Sequence, residues 1–96
     1  MRREEFVFTI GYQGDAAIVD RAAMKKYAQL GTMELLELGL YRAAFCSALY
    51  AANEDEMTHF LQAFSEKTGI KSDTADDLKR LFGVYPTEGV NKTLLI

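Results

Sequence analysis

Ninety-six residues with 49% hydrophobic content are enough for one core that removes about 65% of the unfolded surface from water, so residues 1–96 are read as a single α+β domain. A net charge of −3 excludes a general attraction to nucleic acid or anionic lipid, and no apolar run approaches the roughly 18 residues of a membrane span. The one cysteine, Cys46, cannot close an intrachain disulfide, which points to a soluble, cytoplasmic protein.

From Glu5 to Ile10 the chain is rich in β-formers, and Phe6, Phe8 and Ile10 share one face of a predicted first strand. After "GYQGD" comes "AAIVD", the second strand of a hairpin. A turn at Gln13 and Gly14 pairs Ile10 with Ala17 and Phe8 with Val19. Gly14 supplies the positive φ of the turn, and Gly11 marks a bulge or a close backbone approach. The two glycines do not form a phosphate loop, because the next helix starts only after Asp20.

Asp20 is a predicted N-cap, followed by a stripe of Ala23, Met24, Tyr27 and Leu30. Gly31 ends that helix and Thr32 caps the next. "MELLELGLYRAAFCSALYAAN" is apolar nearly all round, which predicts a central helix that Gly39 can divide in two. Asn53 and Glu56 have capping-box spacing, with Met57, Phe60, Leu61 and Phe64 on the stripe that follows. Gly69 closes this helix, with Ile70 placed for the apolar contact that accompanies such caps. A last helix starts at Ser72 or Asp73, buries Leu78, Leu81 and Phe82, and stops at Gly83. "VYPTEG" is a loop and "VNKTLLI" a terminal strand. The predicted architecture is α+β: the N-terminal β-hairpin and the C-terminal strand form a small antiparallel sheet packed against three to five helices on one face.

Two segments resemble known motifs. "GLYRAA" sets Gly39, Tyr41 and Ala44, with Ala51 beyond them, at spacings similar to half of a tetratricopeptide repeat over Ala28 to Asn53. Such arrays need at least about three copies and no second copy is present, so the resemblance implies a helical hairpin and not membership of the family. Residues 59–83 resemble a helix-turn-helix. In that reading Lys71, Lys79 and Arg80 would meet nucleic acid, but Asp73, Asp76 and Asp77 at the start of the second helix repel phosphate.

Chemistry-bearing residues are sparse. His59 and Cys46 are the only histidine and cysteine, so no zinc ligand set exists, and neither shows a partner for nucleophilic catalysis. The acids in "NEDE" and "TADD" lie at helix starts, where they favour the dipole. No cofactor motif is present, and enzymatic function is disfavoured. Tyr12, Tyr41, Tyr50 and Tyr85 are the aromatics least explained by the core stripes, and such residues are enriched at partner surfaces.

The function expected is therefore a small intracellular interaction or regulatory module that binds protein. A helix-turn-helix DNA-binding regulator is the alternative, and a small-molecule-binding domain using the hairpin end is a lesser one. Three short strands leave a sheet edge open, and "AAIV" and "TLLI" defend it poorly, so the expected partner includes a second copy of the chain in a homodimer.

Overall fold

The computed structural model describes residues 1–71, 74–84 and 89–96. The element order is α1 (Arg3–Val7), β1 (Thr9–Gln13), β2 (Ala16–Val19), α2 (Arg21–Tyr27), α3 (Thr32–Glu37), α4 (Tyr41–Ala51), α5 (Glu54–Thr68), α6 (Ala75–Phe82) and β3 (Lys92–Leu95). The protein is thus mixed α+β, with a three-stranded sheet and, among the described residues, six helices where three to five were expected.

The sixth helix is α1, formed by residues that resemble a strand. Glu5 accepts the Arg2 backbone N–H on Oε1 at 3.0 Å, and Glu4 and Glu5 place carboxylates in the first turn, where they favour the helix dipole. Phe6, Val7, Phe8 and Thr9 are all buried, and α1 packs against α4, so one helical turn followed by an extended residue buries the run. The Thr9 hydroxyl donates to the Glu5 carbonyl at 2.7 Å, and the chain becomes extended there. The first strand therefore begins at Thr9, not at Glu5.

The hairpin register also differs from the predicted one. Gln13 pairs with Ala16, Tyr12 with Ala17, Gly11 with Ile18 and Thr9 with Val19. Gly14 and Asp15 form the turn, one residue later than expected. Gly14 has φ +61° and Asp15 is not in the left-handed region, the pattern of a two-residue turn with positive φ at its first position. The expected irregularity at Gly11 is present: the register slips between Thr9 and Gly11, so Ile10 is an extra residue, turned outward and 54% exposed. A bulge of this kind re-aims a side chain, which is why Ile10 leaves the face shared by its neighbours.

β3 corrects the sheet. It runs parallel to β2, with Ala16 opposite Lys92 and Val19 opposite Leu95, so the sheet is mixed rather than antiparallel and its order is β1-β2-β3. The Asp15 carbonyl accepts the backbone N–H groups of Asn91 at 2.8 Å and Lys92 at 3.3 Å, pinning the start of β3 beside the start of β2. "AAIV" is consequently the central strand, and the exposed edges belong to β1 and β3.

The helices follow local capping chemistry. Asp20 Oδ1 accepts the Ala23 N–H at 3.1 Å, and Asn53 Oδ1 accepts that of Glu56 at 3.1 Å. Thr32 is not a cap but the first residue of α3; Gly31 holds the cap position, and Glu34 Oε1 accepts its N–H at 3.0 Å. Gly39, at φ +79°, separates α3 from α4 and makes the helical hairpin. α4 ends at Ala52 with φ +53°, a conformation that costs a non-glycine residue about 1 kcal/mol. Thr74 caps α6. The expected caps Ser72 and Asp73 lie outside the described residues, as does Tyr85 with most of the "VYPTEG" loop.

α4 is central, packing against α1, α3, α5 and α6. Its Ala44, Phe45, Cys46, Ser47 and Ala48 are all buried, as its apolar circumference predicts. Phe45, Phe60, Phe64 and Phe82 form a closed circuit of ring contacts, with successive centroids 5.8, 5.7, 5.9 and 5.7 Å apart. This circuit ties α4, α5 and α6 together, each aromatic pair adding about 0.5–1.5 kcal/mol beyond its burial. Leu78 joins the core, whereas Leu81 and Ile70 are exposed, against the expectation for both.

Candidate functional site

Two surfaces combine exposure with unused bonding capacity: the outer edge of β3 and a groove beside Arg42. In a parallel ladder, alternate residues direct both backbone groups to the same neighbour. Lys92 and Ile96 donate to Asp15 and Val19 of the β2 segment, so Thr93 and Leu95 face outward. The Leu95 carbonyl accepts Arg21 Nη2 at 3.3 Å. The outward groups of Thr93 meet no described strand, because β2 is the only neighbour of β3. Apolar side chains surround this edge: Leu94, Leu95 and Ile96 are 44%, 39% and 68% exposed.

The groove has a volume of about 390 Å³ and opens where the α1–β1 junction, the start of α2, the α3–α4 turn and the end of α6 converge. Its walls are mainly apolar and include Phe8, the bulged Ile10, Leu40, Tyr41 and Phe82. Its charged groups are Asp20 and Arg42. Arg42 Nε donates to the Phe82 carbonyl at 3.1 Å, and its Nη1 is buried without an acceptor. The guanidinium lies beside Cys46, whose thiol is pushed up by burial while the neighbouring Arg42 charge pulls it down. Burial wins, so the thiol stays protonated and inert at neutral pH.

A second arginine serves as a reference. Arg3 Nη1 donates to the Ala28 carbonyl at 3.1 Å, and Nη2 to the Leu30 carbonyl and the Ser47 hydroxyl, both at 2.9 Å. Ser47 Oγ also accepts the Thr32 hydroxyl at 2.8 Å. These bonds lock α1, the α2–α3 connection and α4 into one polar network.

The structure disperses the tyrosines read as partner-binding residues. Tyr12 lies on β1 and Tyr41 and Tyr50 on α4, with Tyr85 outside the described residues. Nine residues separate Tyr41 from Tyr50, which puts them half a turn out of phase on one helix. Tyr41 packs edge-on against Phe64 at 5.5 Å, and Tyr50, 46% exposed, lies 6.1 Å from Phe6. Of the residues assigned to the nucleic-acid reading, Lys71 is exposed. Lys79 and Arg80 pair along α6 with Asp76 at 3.5 Å and Asp77 at 3.9 Å. Cys46 is buried on α4 and His59 exposed on α5. Among the described residues no three His, Cys, Asp or Glu side chains gather at a metal-binding distance, and no helix is long and apolar enough to cross a membrane.

Sequence reasoning missed the groove and its guanidinium. The one local signal was the irregularity at Gly11, which turns Ile10 into the groove wall. Arg42 itself carried no signal, since its anchor lies forty residues away. Compared with known proteins, the chain matches no protein-family model, no curated sequence and no solved structure.

Proposed function

We propose that the protein is a small intracellular interaction module that self-associates as a two-fold dimer through the outer edge of β3. The observation that carries this reading is the outward backbone of Thr93 flanked by the exposed Leu94, Leu95 and Ile96. An unpaired edge is a template for another strand, with main-chain hydrogen bonds supplying affinity and alternate side chains supplying fit. A two-fold axis beside Thr93 lets two β3 strands satisfy each other in antiparallel pairing, and closed two-fold assemblies are the commonest among oligomers. A cytoplasmic location belongs to the same reading and is supported by a lone cysteine that is free and buried.

The DNA-binding alternative has less support. Asp76 and Asp77 face the same solvent as Lys79 and Arg80 and partly neutralise them, and a helix that presents paired charges has little attraction for phosphate.

Sedimentation velocity at micromolar concentration tests the proposal, with an expected mass of twice the 10.8 kDa chain. Thr93→Pro deletes an outward N–H and leaves the bonds to β2 intact, a substitution that an edge position tolerates. It should yield a folded monomer. A wild-type monomer at about 100 µM, a concentration far above a micromolar dissociation constant, would sink the proposal.

A further inference from the structure

We infer that the groove beside Arg42 is a binding site for a small apolar monocarboxylate, a function independent of self-association, since no residue of β3 lines the groove. At about 390 Å³ it falls within the range of small-molecule sites, which are mostly apolar with a few polar groups that fix orientation. The walls supply the apolar part: Phe8, Ile10, Leu40, Tyr41 and Phe82 converge from four segments of the chain.

The charge identifies the rest of the ligand. Among the described residues no carboxylate lies within ion-pairing distance of Arg42: its Nε donates to the Phe82 carbonyl, its side chain also interacts with the neutral Cys46 thiol, and Nη1 is buried with no acceptor. A buried donor without a partner is costly, and a guanidinium matches a carboxylate in shape as well as in charge. Asp20, the other charged group on the groove, is already engaged, with Oδ1 accepting the Ala23 N–H at 3.1 Å in the first turn of α2. That turn also favours its negative charge. Asp20 keeps its charge on the groove, but of the two groups only Arg42 has a buried polar atom, Nη1, without a partner. A phosphate or polyanion fits poorly, because one cation set among apolar walls cannot replace the hydration of several negative oxygens.

Nη1 has no exposed surface, so a carboxylate that pairs with this nitrogen does so as the Arg42 side chain shifts. That shift disturbs the bond to Phe82, and binding is therefore reported at the end of α6 as well as in the groove.

The test is an amide NMR titration of the full chain with 3-phenylpropionate, and with 3-phenylpropionamide as its uncharged counterpart. The expected result is that the acid shifts the signals of Ile10, Arg42, Ala43 and Gly83, and binds about tenfold more tightly than the amide, a difference of about 1.4 kcal/mol. Arg42→Met should erase that preference. Ala43→Leu, which fills the groove and leaves the guanidinium in place, should abolish binding of both compounds, and it decides the matter if the Arg42 variant does not fold. Equal affinities for acid and amide, shifts mapping outside the groove, or no shift up to about 10 mM acid, weaker than any specific pocket of this size, would overturn the inference. The dimer proposal would stand in each case.

Discussion

Arg3 and Arg42 perform the same act in two parts of the molecule, and only one of them is fully satisfied. Each places a cation on carbonyls at the end of a helix, Arg3 on Ala28 and Leu30 after α2 and Arg42 on Phe82 at the end of α6, where the dipole favours positive charge. Neither has a carboxylate partner among the described residues. Arg3 sits among loop carbonyls and the Ser47 hydroxyl and uses three hydrogen bonds. Arg42 sits among aromatic rings and a thiol, with Nε on one carbonyl, the Cys46 thiol beside it, and Nη1 left bare. The guanidinium is the same; the supply of acceptors decides whether it is a structural clamp or a charge still open to a ligand.

The largest effect that sharpens this contrast is expected at Arg3. Arg3→Met removes three bonds and leaves partly buried acceptors without a donor, which should cost about 2–4 kcal/mol in urea unfolding. A loss below about 1 kcal/mol would show that the network is solvated and that Arg3 is no clamp. Coupling within the network comes next. A double-mutant cycle of Arg3→Met with Ser47→Ala should give an interaction energy of about 1 kcal/mol, since Arg3 Nη2 donates directly to the Ser47 hydroxyl. Strict additivity would mean that Ser47 is anchored by Thr32 alone.

At Arg42 the same substitution should behave differently. Arg42→Met loses the bond to Phe82 but also removes a buried donor that has no acceptor, and an apolar side chain of similar length can occupy the space. The two changes oppose each other, so stability should stay within about 1 kcal/mol of the wild type. If Arg42→Met proves as damaging as Arg3→Met, the difference between the two sites disappears, and Arg42 is a second clamp.

Neither arginine announced its role in the sequence, and the reason is distance. Caps at Asp20 and Asn53 and breaks at Gly39, Gly69 and Gly83 are legible because a cap and its partner lie within four residues, so local composition carries them. Arg3 reaches Ser47 across forty-four positions and Arg42 reaches Phe82 across forty, and no periodicity encodes either contact. The direction of β3 is hidden for a similar reason: parallel and antiparallel pairing bury the same alternating residues, and the choice rests on Asp15 holding Asn91 and Lys92. In the α1 segment Phe6, Val7 and Phe8 suit a strand by propensity, while packing on α4 makes one helical turn the better burial. The candidate groove is therefore almost wholly a tertiary product, with only the bulge at Gly11 foreshadowed.

The smallest effect concerns pH and reports directly on the Arg42 charge. Burial raises the Cys46 thiol above its ordinary value, and Arg42 beside it opposes that rise without cancelling it. The folded chain therefore holds its thiol proton at pH values where the unfolded chain has released it. The stability this contributes is fully present below the unfolded pKa, about 8.5–9, and is lost as pH rises through the raised folded value, by at most about 1.4 kcal/mol per pH unit. Cys46→Ala should flatten the alkaline limb of a stability profile taken from about pH 7.5 to 10, with a difference of a few tenths of a kcal/mol near pH 9. Arg42→Met should extend the decline to higher pH, because the opposing charge is gone and the thiol rises further. Arg3→Met should lower the whole curve and leave the slope alone, since Arg3 does not contribute to the thiol's shift. Should Arg3→Met change the slope as much as Arg42→Met does, the thiol would be responding to loosened packing and not to the guanidinium beside it, and Arg42 would lose its standing as the charge that opposes the thiol's rise.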